Sequence, residues 1–424
     1  MKYTLLLLIL LSISLRISAQ DSLRILQYNL LNYGNYSTFC NNVNNNHITK
    51  EGHLRTIIGY VKPDIFTVNE LSSVNAYHDR LLTEVMNSDG RSYYKRTPAT
   101  NIAGSDIINM MFYDSTKLVL HSMHVIQLNV RDINLYRLYY KSNKLQTGDT
   151  IFLNCIVAHL KAGDSNSDAQ LRAVMAGNVM NWLQSNVAPG NYLLMGDFNV
   201  YTSAEPSYQH FTGSTAGAFQ FFDPVNAPGE WNNNIDFAAY HTQSVTSSGG
   251  CQAGGGMDDR FDFILATDEI MEGSMKVRYK QGSYKAVGQD GNHFNQSITN
   301  LPNVTVPQEV LNALGRASDH LPVTMVLEVE AEQPGAITES LLVKDPVLIR
   351  ISKSEAIINL TAMKPNMVIV SILSSTGQQL QQYNYQLLQG FNSINIPLRS
   401  LTSGMYLISI LDMHGYRKTL KFVK

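Results

Sequence analysis

The sequence predicts an α/β domain from about Leu23 to Val329, followed by a small all-β domain. Three observations predict it. Apolar or alternating runs of strand length recur from Leu23 to Val329, helical apolar spacing falls between them, and the character of the chain changes after Val329.

In chain order the strand-like runs are Leu23–Tyr28, Asp64–Leu71, Ile107–Tyr113, Lys117–Leu128, Thr150–Leu160, Tyr192–Phe198, Phe261–Ala266 and Leu321–Val329. Their lengths suit strands, and several are rich in Ile, Val, Phe or Tyr. The clearest helix follows Ser167, where Leu171, Val174, Met175, Val179, Trp182 and Leu183 repeat at helical spacing as one apolar face. Ser167 with Gln170 three residues on predicts a capping box at its start. A second amphipathic stretch, His53 to Val61, ends before Pro63. Cys40 to Asn46 is asparagine-rich and reads as a surface excursion; Ser247 to Gly256 is a Gly/Ser-rich loop leading into a strand. Sheets covered by helices put functional groups at strand ends and in loops.

Glu330 to Gly335 contains Glu, Gln, Pro and Gly and reads as linker, so residues 331–340 are expected to separate two domains, 20–330 and 341–424. In the second, β-like runs at Val343–Ile351, Met367–Leu373 and Met405–Leu411 alternate with turns at Ser375-Thr376-Gly377 and Ser403-Gly404. Its one histidine, His414, sits in a turn beside Gly415.

At 424 residues the chain has room for these domains and a sizeable core. The formal net charge of −2 argues against a protein that coats nucleic acid. Lys2, the apolar run Leu5 to Leu11 and the small pair Ser18-Ala19 read as a signal peptide, residues 1–19, cut after Ala19. The run is too short to span a membrane and Arg16 closes it, so a soluble, exported monomer is expected, with no stable membrane insertion. Of the three cysteines, Cys155 lies in an apolar run and is expected to be a buried thiol. Cys40 and Cys251 lie in polar loops; residues alone leave their pairing open, and pairing is the expectation adopted.

Short polar clusters end the apolar runs: Gln27-Tyr28-Asn29, Val68-Asn69-Glu70, Ala158-His159-Leu160, Gly196-Asp197-Phe198-Asn199 and Ser318-Asp319-His320. Asp262 lies inside the run Arg260–Leu265. A carboxylate in an apolar strand is unfavourable unless it is paired or bound to metal. One such residue is usually a satisfied structural group; a set in similar positions points to a site. Asp258-Asp259 reads instead as a solvated turn, Asn32 as a brace, and Lys276, Arg278 and Lys280 as one solvated strand face.

In their order along the chain, these clusters resemble the endonuclease/exonuclease/phosphatase family, which includes secreted DNases, sphingomyelinases and inositol-polyphosphate phosphatases. The resemblance covers most of Leu23 to Val329 and implies a four-layer α/β/β/α sandwich that hydrolyses phosphate esters. It implies a metal site at Asn29, Glu70 and Asp319, with Glu70 the main ligand. Mg²⁺ is the implied ion, with Mn²⁺ or Ca²⁺ as alternatives. It implies that Asp197 and Asn199 orient the attacking water and the phosphate. It also pairs the active-site His320 with Asp262, and makes His159 a second histidine able to protonate the leaving oxygen.

The tail resembles the type A sorting domain of the type IX secretion system of Bacteroidota. The residues that carry this are Ser375-Thr376-Gly377-Gln378, Leu401-Thr402-Ser403-Gly404-Met405-Tyr406 and the lysine-bearing end Lys418 to Lys424. The usual Pro-Asn-Pro-like opening is absent, with Asp345-Pro346 near its place. The resemblance implies the type IX machinery as partner and a secreted or surface destination reached through the periplasm. A nuclease acting on DNA or RNA is the leading expectation. A phospholipid phosphodiesterase, a sugar-phosphate phosphatase and an inactive surface binding protein are the alternatives.

Overall fold

A computed structural model describes residues 21–142, 150–213, 219–330, 343–352, 354–362, 365–412 and 417–424. The signal segment, the linker and His414 lie outside the described residues. The chain divides into two compact units between Gln333 and Pro334.

In the first unit the strands are β1 (Asp21–Tyr33), β2 (Ile65–Ser72), β3 (Tyr94–Arg96), β4 (Ile107–Asp114), β5 (Leu118–Gln127), β6 (Ile133–Tyr140), β7 (Phe152–His159), β8 (Tyr192–Asp197), β9 (Phe221–Phe222), β10 (Asp262–Thr267), β11 (Val277–Tyr279), β12 (Lys285–Ala286) and β13 (Val323–Val329). They form two sheets, β11-β13-β1-β2-β4-β3 with β12 beside β13, and β5-β6-β7-β8-β10-β9. Every strand-like run of the sequence is a strand, and β3, β6, β9 and β12 are additions.

The sheets pack face to face. Leu23, Ile25, Ile65, Met111 and Leu327 of the first meet Cys155, Val157, Leu193, Met195 and Ile264 of the second in one buried cluster. The outer face of the first sheet is covered by α1 (His47–Val61) and α6 (Gln308–Ala317), and two short helices, α2 (Asn75–Arg80) and α5 (Asp268–Glu272), follow β2 and β10. That of the second is covered by α3 (Asn166–Asn186) and α4 (Pro206–Thr212). The result is the four-layer α/β/β/α sandwich. Because both faces of each sheet are covered, central strands such as β8 are buried at every residue rather than at alternate ones.

Two helix expectations are corrected. The first helix starts at His47, six residues before His53, because Asn46 caps it by accepting from Thr49 N. The long helix α3 is capped by Ser165, not Ser167: Ser165 Oγ accepts from Asp168 N and donates to the Asp168 carboxylate. Its buried stripe is Arg172, Met175, Ala176, Val179, Met180 and Leu183, while Leu171 and Val174 face solvent. Arg172 turns inward because Glu205 pairs with it at 2.9 Å and Lys161 and Gly163 offer it carbonyls. A buried ion pair satisfied in this way outweighs the simple apolar count.

The second unit has strands β14 (Val343–Ile351), β15 (Glu355–Ala362), β16 (Asn366–Ser374), β17 (Gln379–Leu387), β18 (Gly390–Pro397), β19 (Met405–Asp412) and β20 (Arg417–Val423). They make sheets β14-β15-β18 and β17-β16-β19-β20 around a core that includes Ile358, Leu360, Val370, Ile396 and Ile408. This is the small all-β sandwich expected.

Candidate active site

The parallel pair β1–β2 ends at Asn29 and Glu70, and the parallel pair β7–β8 ends at His159 and Asp197. β10 runs antiparallel to β8 and starts where β8 ends, with Asp262 opposite Asp197. β13 runs antiparallel to β1, so Ser318-Asp319-His320, just before it, arrives at the same edge. Eight predicted residues from distant parts of the chain therefore gather at one end of the sandwich. His159, Asp197 and Asp262 stand side by side in one row across three strands.

Local backbone aims the carboxylates. Glu70 lies at φ 56° where the β2 register shifts against β4, which turns its side chain out of the ladder. Before Asp197, Gly196 is required: a Cβ there would collide with the carbonyl of Ala158 on β7. Asn199 also has positive φ, 51°.

Asn29 Nδ2 donates to Glu70 Oε1 at 3.0 Å and to Asp197 Oδ2 at 2.9 Å, bridging the two sheets. Its Oδ1 accepts from Leu31 N, so in this arrangement Asn29 gives the carboxylates a donor and no ligand oxygen. Asn32 N donates to Glu70 Oε2 at 3.0 Å, consistent with a brace. Asn199 N donates to Asp197 Oδ1 at 3.0 Å. His159 Nε2 lies 3.5 Å from Asp197 Oδ2 and 3.9 Å from Glu70 Oε1. Glu70, His159 and Asp197 offer ligand atoms that all lie within 4.8 Å of one another, the one such acidic or histidine set among the described residues. This donor set fits a divalent cation. Asp319 stands apart from it: Oδ2 accepts from Ala253 N at 2.9 Å, and Oδ1 is 3.9 Å from His320 Nε2.

His320 is buried and held at both nitrogens. Nδ1 meets Asp262 Oδ2 at 2.7 Å, and Nε2 meets the Gln243 amide at 2.9 Å, with Asp197 at 3.8 Å. Burial opposes its charge, but Asp262 and Asp197 prevail and raise its pKa well above the ordinary value. His159 moves the other way, well down, through burial and then the positive charges of Arg131 and His320. Asp197 is pushed up to about 7 by burial, with His320 opposing and Asp262 and Glu70 adding to the rise. The two buried imidazoles that flank this carboxylate are therefore shifted in opposite directions.

Several contributors carry no motif. Gln243 reaches His320 from a loop. Arg131 faces the carboxylates: its Nε is buried without a hydrogen-bond partner, and Glu70 and Asp197 oppose the effect of burial on its charge. Asn69 accepts from Asp197 N at 3.0 Å and donates to Asn109 and to Ala158 O, tying β2 to β8 and β7. Asn69 lies in one of the polar clusters, so a signal for it existed. Asp258 and Asp259 are not a solvated turn. Both are partly buried, which raises them to about 6 and about 7, and Asp259 accepts from Asn232. Arg278 sits on edge strand β11, at the end of the sheet remote from the site. Cys40 and Cys251 form a disulfide that ties the asparagine-rich excursion to the glycine-rich loop, and Cys155 is a buried free thiol.

Residues 352–424 match the family described as "Secretion system C-terminal sorting domain". That domain implies the type IX machinery and indicates export, with secretion or cell-surface attachment as the outcome. No curated protein sequence matches the chain. Among solved structures the chain is similar to an endonuclease/exonuclease/phosphatase family protein from Bacteroides thetaiotaomicron. Identity is 15% over 74% of this chain and 98% of that one, with a TM-score of 0.45. It is also similar to an endonuclease/exonuclease/phosphatase from Beutenbergia cavernae, at 14% identity over 95% and 100%, TM-score 0.40. The human Nocturnin catalytic domain with bound sulfate is a further neighbour, at 14% identity over 73% and 97%, TM-score 0.44.

Proposed function

We propose that the first unit is a metal-dependent phosphodiester hydrolase, and that the exported protein acts as an extracellular nuclease. One observation carries the reading: the Glu70–His159–Asp197 ligand set and the Asp262–His320 pair share one buried strand-end site, with Asp197 common to both. Glu70 is the principal metal ligand. Asp197 and His159 bring ligand atoms close enough to share the ion, Asn29 donates to both carboxylates, and Asp319 is a further acidic group beside His320. When bound, a divalent cation neutralises charge on the phosphate and stabilises the oxyanion that develops.

The protein's own groups supply the rest. Asp197, oriented by Asn199 N, takes the proton of a water that attacks phosphorus in line. The phosphorus–oxygen bond opposite the water breaks. With the Gln243 amide turned to present its oxygen, His320 is protonated beside Asp262 and donates from Nε2 to the phosphoryl or leaving oxygen. Arg131 offers its guanidinium to a non-bridging oxygen.

Purified protein incubated with plasmid DNA, RNA, sphingomyelin and bis(p-nitrophenyl) phosphate, each with Mg²⁺ or with chelator, tests this. Metal-dependent cleavage of nucleic acid is expected. No hydrolysis of any phosphodiester would overturn the reading, and cleavage of sphingomyelin alone would replace the nuclease with a lipid phosphodiesterase.

A further inference from the structure

Beside the active site lies a second cleft of about 290 Å³, lined by Leu31, Thr49, Lys50, His53, Gln252 and Arg316 together with asparagines of the 43–46 excursion. It adjoins the catalytic centre through covalent neighbours. Leu31 lies two residues beyond Asn29, and Gln252 precedes Ala253, whose N–H donates to Asp319. The Cys40–Cys251 disulfide joins the two loops that form its walls.

The lining is one-sided in charge. Lys50, His53 and Arg316 contribute cationic or basic groups, and no carboxylate lines the cleft among the described residues. In a chain with a net charge of −2 such a lining is not a consequence of composition. Lys50 is buried, and its ammonium donates to the carbonyls of Leu30 and Leu31 while facing Asp319 and Glu70. Burial lowers its pKa to about 7, with Asp319 and Glu70 opposing, so it is a basic group standing between the cleft and those carboxylates. His53 is half-buried, and burial, Arg316 and Lys50 all disfavour its charge, so Arg316 is the cation the lining presents at neutral pH. Arg316, on the last turn of α6, is exposed at the rim.

We infer that this cleft is a second phosphate subsite, which takes a phosphate of the same nucleic-acid strand whose neighbouring phosphodiester sits at the catalytic centre. The inference rests on the proposed phosphodiester hydrolysis and adds its substrate class. A strand presents phosphates in series, and cations that meet more than one of them raise affinity at low salt. A phosphodiester with a single phosphate gains nothing from the cleft.

The test compares the full protein with Arg316→Glu and His53→Gln, using a single-stranded DNA oligonucleotide and bis(p-nitrophenyl) phosphate as substrates. Arg316 is exposed, so its substitution leaves folding intact. Arg316→Glu is expected to raise KM for the oligonucleotide about fivefold or more at low salt, with a smaller rise for His53→Gln. It should reduce the slope of log affinity against log salt by about one. Turnover and KM on bis(p-nitrophenyl) phosphate should stay within about twofold of the unmodified protein. Equal effects on both substrates, or no effect on the oligonucleotide, would overturn the subsite. If the unmodified protein hydrolyses neither substrate, the proposed activity fails. Fluorescence anisotropy of the labelled oligonucleotide in chelator then decides the subsite separately: weaker binding by Arg316→Glu supports it, and equal binding refutes it.

Discussion

β15 of the second unit and β8 of the first show how differently the two units use a strand. Along β15 buried and half-exposed residues alternate without a break, and the buried ones are Ala356, Ile358, Leu360 and Ala362. Along β8 every residue is buried, and the strand ends on a carboxylate. The sorting-like unit buries an apolar core with one buried polar side chain, Ser409, among its described residues. The first unit buries Gln27, Asn29, Thr67, Asn69, Asn109, Asp197, Asp262 and His320 in and around one strand-end cluster. Polar groups kept inside at an energetic disadvantage mark where chemistry is done.

If that contrast is right, substitutions in the first cluster should change rate, and those in the second core should change only stability. The largest effect is expected from His320→Ala, a loss in turnover on the order of a hundredfold or more. Extra Mg²⁺ should not restore it; near-normal turnover, or rescue by Mg²⁺ alone, would remove His320 from its role. Asp262→Asn should give a milder loss of the same kind, because it disturbs the tautomer and charge of His320 without removing the ring. Glu70→Gln should behave differently. Initial rates titrated with Mg²⁺ should show weakened metal binding and partial recovery at high concentration, by mass action.

A pH series tests the shared carboxylate. The folded-state pKa of Asp197 is raised to about 7 from an ordinary value near 4, so in the metal-free protein protons compete for it below neutrality. Metal affinity, read by calorimetry, should therefore strengthen as pH rises from about 6 to about 8. An affinity independent of pH across that window would argue that Asp197 takes no part in holding the ion. The smallest effect on rate is expected from the second core. Ile408→Ala leaves a cavity that should destabilise that unit by about 2–5 kcal/mol, seen in thermal melting, while phosphodiester turnover stays unchanged.

The sequence by itself determined where eight strands of the first unit lie along the chain, that an all-β unit follows, and which polar residues end those strands. Strand-length apolar runs are local signals. Polar residues that end them stand out because burial makes them unfavourable unless they are used. That is why Glu70, His159, Asp197, Asp262 and His320 were legible, each from its own few neighbours.

Tertiary structure decided everything that depends on proximity. Gln243 and Arg131 sit in loops with no motif and become part of the site only when the sheets stack. The opposite pKa shifts of His159 and His320 arise because burial, reinforced by Arg131, disfavours charge on one, whereas Asp262 and Asp197 overcome burial at the other. Arg172 displaces Leu171 and Val174 from the buried face of α3 because Glu205, distant in sequence, lies within reach. Periodicity records which residues prefer to leave water, whereas electrostatics and pairing depend on distances that only the folded chain sets.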